Sequence, residues 1–281
     1  MGVIDPGPLH RVALAVEDVV AATDWLTTVL GATAIDMDRD VDRHPGDLGL
    51  ARQGDLEGAD VHLLRLGGHP FVLLSKGVAG GPIAKFLERH GPGVHSLAWE
   101  VEDMWSVQNL LIERGIRIAA VNVPGRHFFM HPRDTCGVLM EWTDDRIIDR
   151  RDDRPSAIAV EGLAWVAAVV TDTAAAATFL VDLVGARPVL RNPTGPQDRE
   201  ATIDLMVGNV TLRLVQPLSS ESPYADIDGS PRLCSYALRV GNLDTCVTQL
   251  EGLGIQVTHL SEGLVTTDPS ATLGIPIHWT A

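Results

Sequence analysis

The sequence is short of positive charge. Its 281 residues include 22 Lys and Arg against 37 Asp and Glu, a formal net charge of -15. Such a surface repels phosphate backbones and anionic lipids, which argues against nucleic acid or membrane partners. No apolar run is as long as a membrane span, and residues 1–9 lack the pattern of a secretory signal. We therefore expect a cytoplasmic protein.

Cysteine and aromatic residues are also scarce. The three cysteines (Cys136, Cys234 and Cys246) show no close pairing, which is typical of reduced, structural thiols. Aromatic residues make up 5% of the chain and leave few side chains to build an aromatic-lined groove. Hydrophobic residues reach 45%, enough for the cores of two domains of ordinary size.

One pattern recurs four times along the chain: a strand, a helix and then three strands. Asp18 is a predicted N-cap of the first helix, and a polar stretch over 36–58 is predicted to be a long loop or a lid. The copies begin near Leu9, Val94, Gly162 and Leu233, and their helices end at Gly31, Gly115, Gly185 and Gly254. Glycine is the preferred residue just after a helix, so the four positions indicate an internal repeat.

A second match relates the two halves of the chain. Residues 131–143 align without gaps on residues 268–280, and a charged stretch over 146–159 that contains proline is predicted to be a linker. The sequence therefore predicts an α+β fold of two homologous domains, 1–145 and 160–281. Each domain would pair two βαβββ units in one cupped mixed sheet.

Paired units of this kind resemble the vicinal oxygen chelate superfamily, which includes glyoxalase I, extradiol dioxygenases and bleomycin-resistance proteins. Residues 9–143 are most similar to the methylmalonyl-CoA epimerase family. Three stretches carry that similarity: Leu9 to Val16, Gly81 to Asp103, and Phe129 to Pro132 with Gly137 to Glu141. The resemblance implies a cupped sheet whose inner face chelates a divalent metal that stabilises an enolate.

The resemblance also implies where the metal ligands should lie, and this chain departs from that pattern. The four positions carry Arg11, Val72, Ser96 and Glu141, and only Glu141 keeps the family's residue type. We therefore expect no cofactor. Glu141 is predicted to move the proton and Arg11 to supply the cation, and Ser96, His95 and His131 are predicted to bind substrate. The corresponding residues of the second half, Trp165, Arg213, Ser235 and His278, make no metal set either.

Three functions stay open at this point. The first is an epimerase-like isomerase or lyase that acts on a small oxygenated metabolite such as a thioester. The second is a metal-free protein that binds a small molecule, as antibiotic-resistance proteins of the superfamily do. In that case Arg11 and Glu141 would form an ion pair in a site without catalytic activity. The third requires a strand register shifted by one residue, so that His10, His95 and Glu141 bind Fe, Zn or Co as in an extradiol dioxygenase. A small-molecule ligand is expected in each case, and a homodimer is compatible with all three.

Overall fold

The computed structural model describes residues 2–42, 59–123, 127–148, 155–190, 199–225 and 230–281. Most of the predicted loop over 36–58 and part of the predicted linker over 146–159 lie outside these ranges. The described part of the loop contains a short strand, β3 (Val41–Asp42), which pairs with β10 (Arg146–Ile147) in an antiparallel ladder.

The first eight-stranded sheet lies within residues 9–143. Its strands are β1 Leu9–Ala15, β2 Thr33–Ala34, β4 Val61–Leu66, β5 His69–Leu74, β6 Gly93–Glu100, β7 Ile118–Val123, β8 His127–Met130 and β9 Met140–Thr143. They follow the order β2-β4-β5-β1-β6-β9-β8-β7. β5 runs parallel to β1 and β9 parallel to β6, whereas β4 with β5 and β8 with β9 are antiparallel, so the sheet is mixed. Its helices are α1 Val19–Leu30, α2 Pro82–His90 and α3 Met104–Glu113.

The second sheet repeats this arrangement within residues 160–280. Its strands are β11 Val160–Val169, β12 Arg187–Pro188, β13 Glu200–Val207, β14 Val210–Pro217, β15 Arg232–Val240, β16 Val257–Ser261, β17 Leu264–Thr267 and β18 Ile277–Thr280. The order β12-β13-β14-β11-β15-β18-β17-β16 matches the first sheet strand for strand. The helices are α4 Thr173–Val184 and α5 Leu243–Gly252. The predicted α+β fold of two homologous halves is confirmed.

Local sequence signals explain where the first helix begins and ends. The carboxylate of Asp18 accepts a hydrogen bond from the Ala21 N–H at 2.9 Å, which satisfies a donor that the first turn leaves unpaired. Gly31 then takes a left-handed conformation, φ 72°, that residues with a β-carbon adopt at a cost. The predicted cap at each end of α1 is confirmed.

Residues 131–143 and 268–280, which align in the sequence, contain turns of the same geometry. His131 caps the 3₁₀ turn Pro132–Asp134, and Asp268 caps Pro269–Ala271 in the same manner. Two consecutive left-handed residues follow in each copy: Cys136 and Gly137 at φ 53° and 88°, Leu273 and Gly274 at φ 61° and 76°. Left-handed non-glycine residues are uncommon, so this shared geometry supports the ungapped alignment.

By the density of its contacts the chain divides into two compact units, and each takes one part of each sheet. Unit 1 contains Met1–Leu9, Ser96–Asp144 and Trp165–Ser235, and unit 2 contains His10–His95, Asp145–Ala164 and Tyr236–Ala281. The domain boundaries predicted from the sequence follow the sheets instead and stay a prediction.

Close packing joins the two parts of unit 1. The indole N–H of Trp99 donates to the Val207 carbonyl at 3.1 Å, and the Leu9 N–H donates to Oδ1 of Asn209 at 2.7 Å. Gly208 lies between these contacts at φ 57°, where a β-carbon would overlap the Gly7 carbonyl. Trp99 and Trp142 are fully buried with ring centroids 6.0 Å apart, as expected for core tryptophans.

An apolar cluster forms the corresponding core of unit 2. It contains Ala13, Ala15, Ile35, Val41, Leu63, Val72, Leu74, Ile83 and Leu87. The cluster joins alternate residues of β1, β4 and β5 to α2 and to the short β3 strand, so one face of these strands is closed by apolar side chains.

None of the helices in the described ranges is long and apolar enough to cross a membrane.

Candidate functional site

Glu141 lies in the middle of β9 and is 1% exposed. It pairs with Ala98 of the parallel strand β6 on one side and with Phe129 of the antiparallel strand β8 on the other. Paired residues share a face of a sheet, and alternate residues of a strand share it too. Glu141 is therefore a buried carboxylate on the face that also carries Ser96, which is 2% exposed.

His127 is the residue that sequence reasoning missed at this face. Its Nε2 hydrogen-bonds to Oε1 of Glu141, and because a carboxylate only accepts, Nε2–H is the donor. The imidazole also contacts the ring of Phe129 edge-on, with centroids 5.2 Å apart. His127 pairs with Thr143, two residues beyond Glu141, so the antiparallel register of β8 and β9 determines the contact. The sequence signal for this contact would have been the strand register, counted back from Glu141 across the turn at residues 131–137 to His127.

His95 neighbours Ser96 on β6 and therefore projects to the opposite face of the strand. Its ring contacts Phe86 of α2 edge-on, with centroids 5.2 Å apart and an interplanar angle of 77°. Burial among these groups lowers the pKa of His95 to about 4, because a charged imidazolium would lose its hydration there. His95 is thus a neutral side chain at physiological pH, on the face of β6 that Glu141 does not share.

Arg11 is 3% exposed and belongs to unit 2. It alternates with His10 on β1 and shares a face with Ala13, whose partner on β5 is Val72. Nη1 of Arg11 donates to Nδ1 of His10 at 2.7 Å. A guanidinium cannot accept, so the hydrogen bond occupies the lone pair on Nδ1 that His10 would need to bind a metal through that atom.

His131 belongs to the capping turn before β9. Its Nδ1 accepts from the Arg133 N–H at 3.2 Å, and the side chain is half-buried. Asp134 in the same turn accepts two hydrogen bonds from the Arg117 guanidinium, at 2.7 and 2.9 Å. These contacts hold the pKa of Asp134 well below its usual range. The contacts of His131 are those of a structural turn, and its predicted role in substrate binding stays a prediction.

The residues at the four implied metal positions do not fit a divalent ion. They offer one guanidinium, one isopropyl group, one hydroxyl and one carboxylate (Arg11, Val72, Ser96 and Glu141). Zinc and iron sites use about three protein ligands that converge on one point. In the described ranges no group of three His, Cys, Asp or Glu side chains is arranged to hold a metal. Metal-free chemistry stays a prediction, and no step below is derived through a metal.

Comparison with known proteins decides the family. Residues 10–129 match the family model described as Glyoxalase/Bleomycin resistance protein/Dioxygenase superfamily. The ethylmalonyl-CoA/methylmalonyl-CoA epimerase of Cereibacter sphaeroides is 32% identical to this chain over 142 residues, 48% of the chain and 96% of that protein. The chain belongs to the glyoxalase/bleomycin resistance/dioxygenase superfamily. The resemblance inferred from the sequence is thereby confirmed.

The superfamily's fold extends beyond the matched half. A triple mutant of 4-hydroxymandelate synthase from Streptomyces coelicolor superposes with a TM-score of 0.64, over 98% of this chain and 92% of that chain, at 16% identity. This likeness concerns the fold alone. It covers both halves of the chain, so the shared fold is not confined to the first half.

Proposed function

We propose that the first half of the chain is an epimerase-like isomerase or lyase in which Glu141 moves a proton. The observation that carries the proposal is a buried carboxylate, hydrogen-bonded by His127, within the half that is 32% identical to an epimerase. The substrate would be a small oxygenated metabolite whose reacting C–H lies next to a carbonyl, and a thioester such as an acyl-CoA fits this chemistry.

The proposed step is abstraction of that proton by the Glu141 carboxylate. The electron pair of the C–H bond moves into the carbonyl group, which leaves an enolate oxygen, and the proton then returns to carbon on either face. The Nε2–H of His127 donates to Oε1 of Glu141 and orients that carboxylate toward the substrate proton. Ser96, on the same face, offers a hydroxyl to the substrate. The cationic role predicted for Arg11, binding a carboxylate or enolate oxygen, is a separate prediction.

Proton exchange in deuterated water tests this proposal. NMR would follow deuterium incorporation into a panel of acyl-CoA thioesters and hydroxy acids incubated with the full chain. Glu141→Gln should lower the exchange rate at least about 100-fold, the usual contribution of a general base. Glu113→Gln, on an exposed turn of α3, is the control and should exchange at the wild-type rate. Exchange that survives in Glu141→Gln would refute the assignment of the base.

A second candidate is a metal-free protein that binds a small molecule without turnover. The apolar cluster around Ala13, Val72 and Ile83 favours it, because the face of β1 and β5 that includes a metal position is closed by hydrophobic side chains. Thermal-shift screening against acyl-CoAs, hydroxy acids and glycopeptide drugs separates the two candidates. A stabilising ligand that shows no exchange in the same buffer would favour binding over catalysis. Arg11→Met should weaken anionic ligands more than neutral ones in either case.

A further inference from the structure

The second sheet carries a buried charged cluster where the first sheet has an apolar core. Arg213 of β14 is 7% exposed and donates from Nε and Nη2 to both carboxylate oxygens of Asp204, at 2.8 and 2.9 Å. Its guanidinium carbon lies 4.4 Å from the ring centroid of Trp165. All three residues belong to unit 1, so one compact unit contains the cluster.

The register of the two sheets shows what occupies the same positions in the first half. Val72 pairs with Ala13 and Leu63, and Arg213 pairs with Ala167 and Asp204 in the same geometry. An apolar Val–Leu pair in one sheet is thus a guanidinium–carboxylate pair in the other. A buried ion pair is often no more stabilising than apolar residues of similar volume. Since this fold accepts the apolar pair in its first half, core stability alone does not account for the charged pair.

Polar residues also replace apolar ones in residues 222–225, which pack beside the Arg213 cluster. Residues 222–225 (Ser-Pro-Tyr-Ala) align with residues 81–84 (Gly-Pro-Ile-Ala), so Tyr224 takes the place of Ile83, and both are buried. Tyr224 hydrogen-bonds to Ser235, while its backbone N–H donates to Oγ of Ser222 at 3.2 Å. Ser222 in turn donates to the Glu200 carboxylate at 3.2 Å. The cluster around Arg213 is therefore rich in hydroxyl groups.

The geometry of Arg213 leaves one edge of its guanidinium for a ligand. Asp204 occupies the Nε and Nη2 side of the guanidinium, and the indole ring of Trp165 covers one face of the guanidinium plane. Within the described ranges Arg213 hydrogen-bonds to Asp204 alone, so the edge formed by Nη1 and the second Nη2 proton is not used. Two parallel N–H groups at such an edge match the two oxygens of a carboxylate.

Solvent reaches this face from the side of β13. Thr202 and Glu200 alternate with Asp204 on the same face of the strand; Thr202 is exposed and Glu200 is half-buried. Burial raises the pKa of Glu200, because the charged carboxylate loses hydration there. The corresponding face of the first half is closed by its apolar cluster.

We propose that the Arg213 cluster of the second half is a binding site for a small carboxylic acid. The unused edge of Arg213 receives the ligand carboxylate, Asp204 and Trp165 hold the guanidinium in position, and the hydroxyl groups of Ser222, Tyr224 and Ser235 surround the rest of the molecule. This site is distinct from Glu141 and goes beyond the function proposed above.

The test uses the full chain with succinate, malate and benzoate as probes and neutral succinamide as the isosteric control, measured by isothermal titration calorimetry. The key variant is Arg213→Val/Asp204→Leu, which installs the apolar pair of the first half and leaves no buried charge unpaired. It should fold with unchanged or higher thermal stability. Carboxylate binding should weaken at least about tenfold, because a bidentate charged hydrogen bond is lost.

Three further variants separate this site from its surroundings. Arg199→Gln/Glu221→Gln removes an exposed ion pair from the same unit and should bind the probes normally. Glu141→Gln lies outside this cluster and should also bind the probes at Arg213 normally, so failure at the first-half site is distinguishable. Arg213→Lys keeps the positive charge but loses the two parallel N–H groups of the guanidinium, so it should weaken binding of the probes several-fold. This variant tests the proposal if the double variant does not fold. Equal binding of succinamide, undiminished binding by the double variant, or no carboxylate binding at all would each overturn the proposal.

Discussion

Because the imidazole of His95 is buried, we expect the free energy of unfolding to fall measurably at acid pH. In the unfolded chain its pKa is 6.5, and burial against the ring of Phe86 lowers the pKa to about 4 in the folded protein. Between these two values the unfolded state binds a proton that the folded state does not. The contribution of His95 to stability is therefore complete above about pH 6.5 and is lost as the pH falls toward about 4.

The size of the effect follows from the shift. One pKa unit corresponds to about 1.4 kcal/mol, so the full window is worth about 3 kcal/mol. This is an upper bound, because part of the residue remains accessible to solvent. Between about pH 7 and about pH 4.5 the same two pKa values predict a loss of about 2 kcal/mol in the free energy of unfolding.

Urea unfolding followed by circular dichroism at these two pH values isolates the contribution of His95. His95→Leu removes the proton site but keeps a buried apolar group against Phe86, so its stability should fall by about 2 kcal/mol less than that of the wild type over this pH range. His259→Gln, at an exposed histidine of β16, serves as the control and should follow the wild type. If the His95→Leu and wild-type curves fall in parallel, His95 is not desolvated as described.

Two further predictions concern the metal and the packing of unit 1. Elemental analysis of the purified protein should find no stoichiometric zinc, iron, cobalt or manganese, and a chelator should leave proton exchange unchanged; one equivalent of metal, lost on His95→Ala, would instead support the dioxygenase alternative. Gly208→Ala should lower the free energy of unfolding by more than about 1 kcal/mol, because φ is 57° and a β-carbon would overlap the Gly7 carbonyl. Gly252→Ala, where a β-carbon meets nothing within 4 Å, is the matched control, and thermal unfolding in which both variants lose equal stability would contradict the packing.

Local sequence signals were sufficient for the fold. Helix ends are decided by hydrogen bonds within one turn, so Asp18 and Gly31 could be assigned from the sequence, and the structure confirms both caps. The repeated turn before β9 and β18 was visible because its backbone geometry requires particular residues at fixed spacing. The resemblance to the superfamily implied that Ser96 and Glu141 lie on one inner face, which agrees with the pairing of Ala98 with Glu141.

Tertiary structure decided what each polar side chain meets. The contact of His127 with Glu141 depends on the register of β8 and β9 across the intervening turn, and no local rule encodes that register. Arg213 and Asp204 lie nine residues apart on antiparallel strands, and only their pairing turns two separate charges into one buried pair. Side-chain identity was thus readable from the sequence, whereas burial and partner, which determine pKa and chemistry, arise from contacts between strands that the chain brings together only on folding.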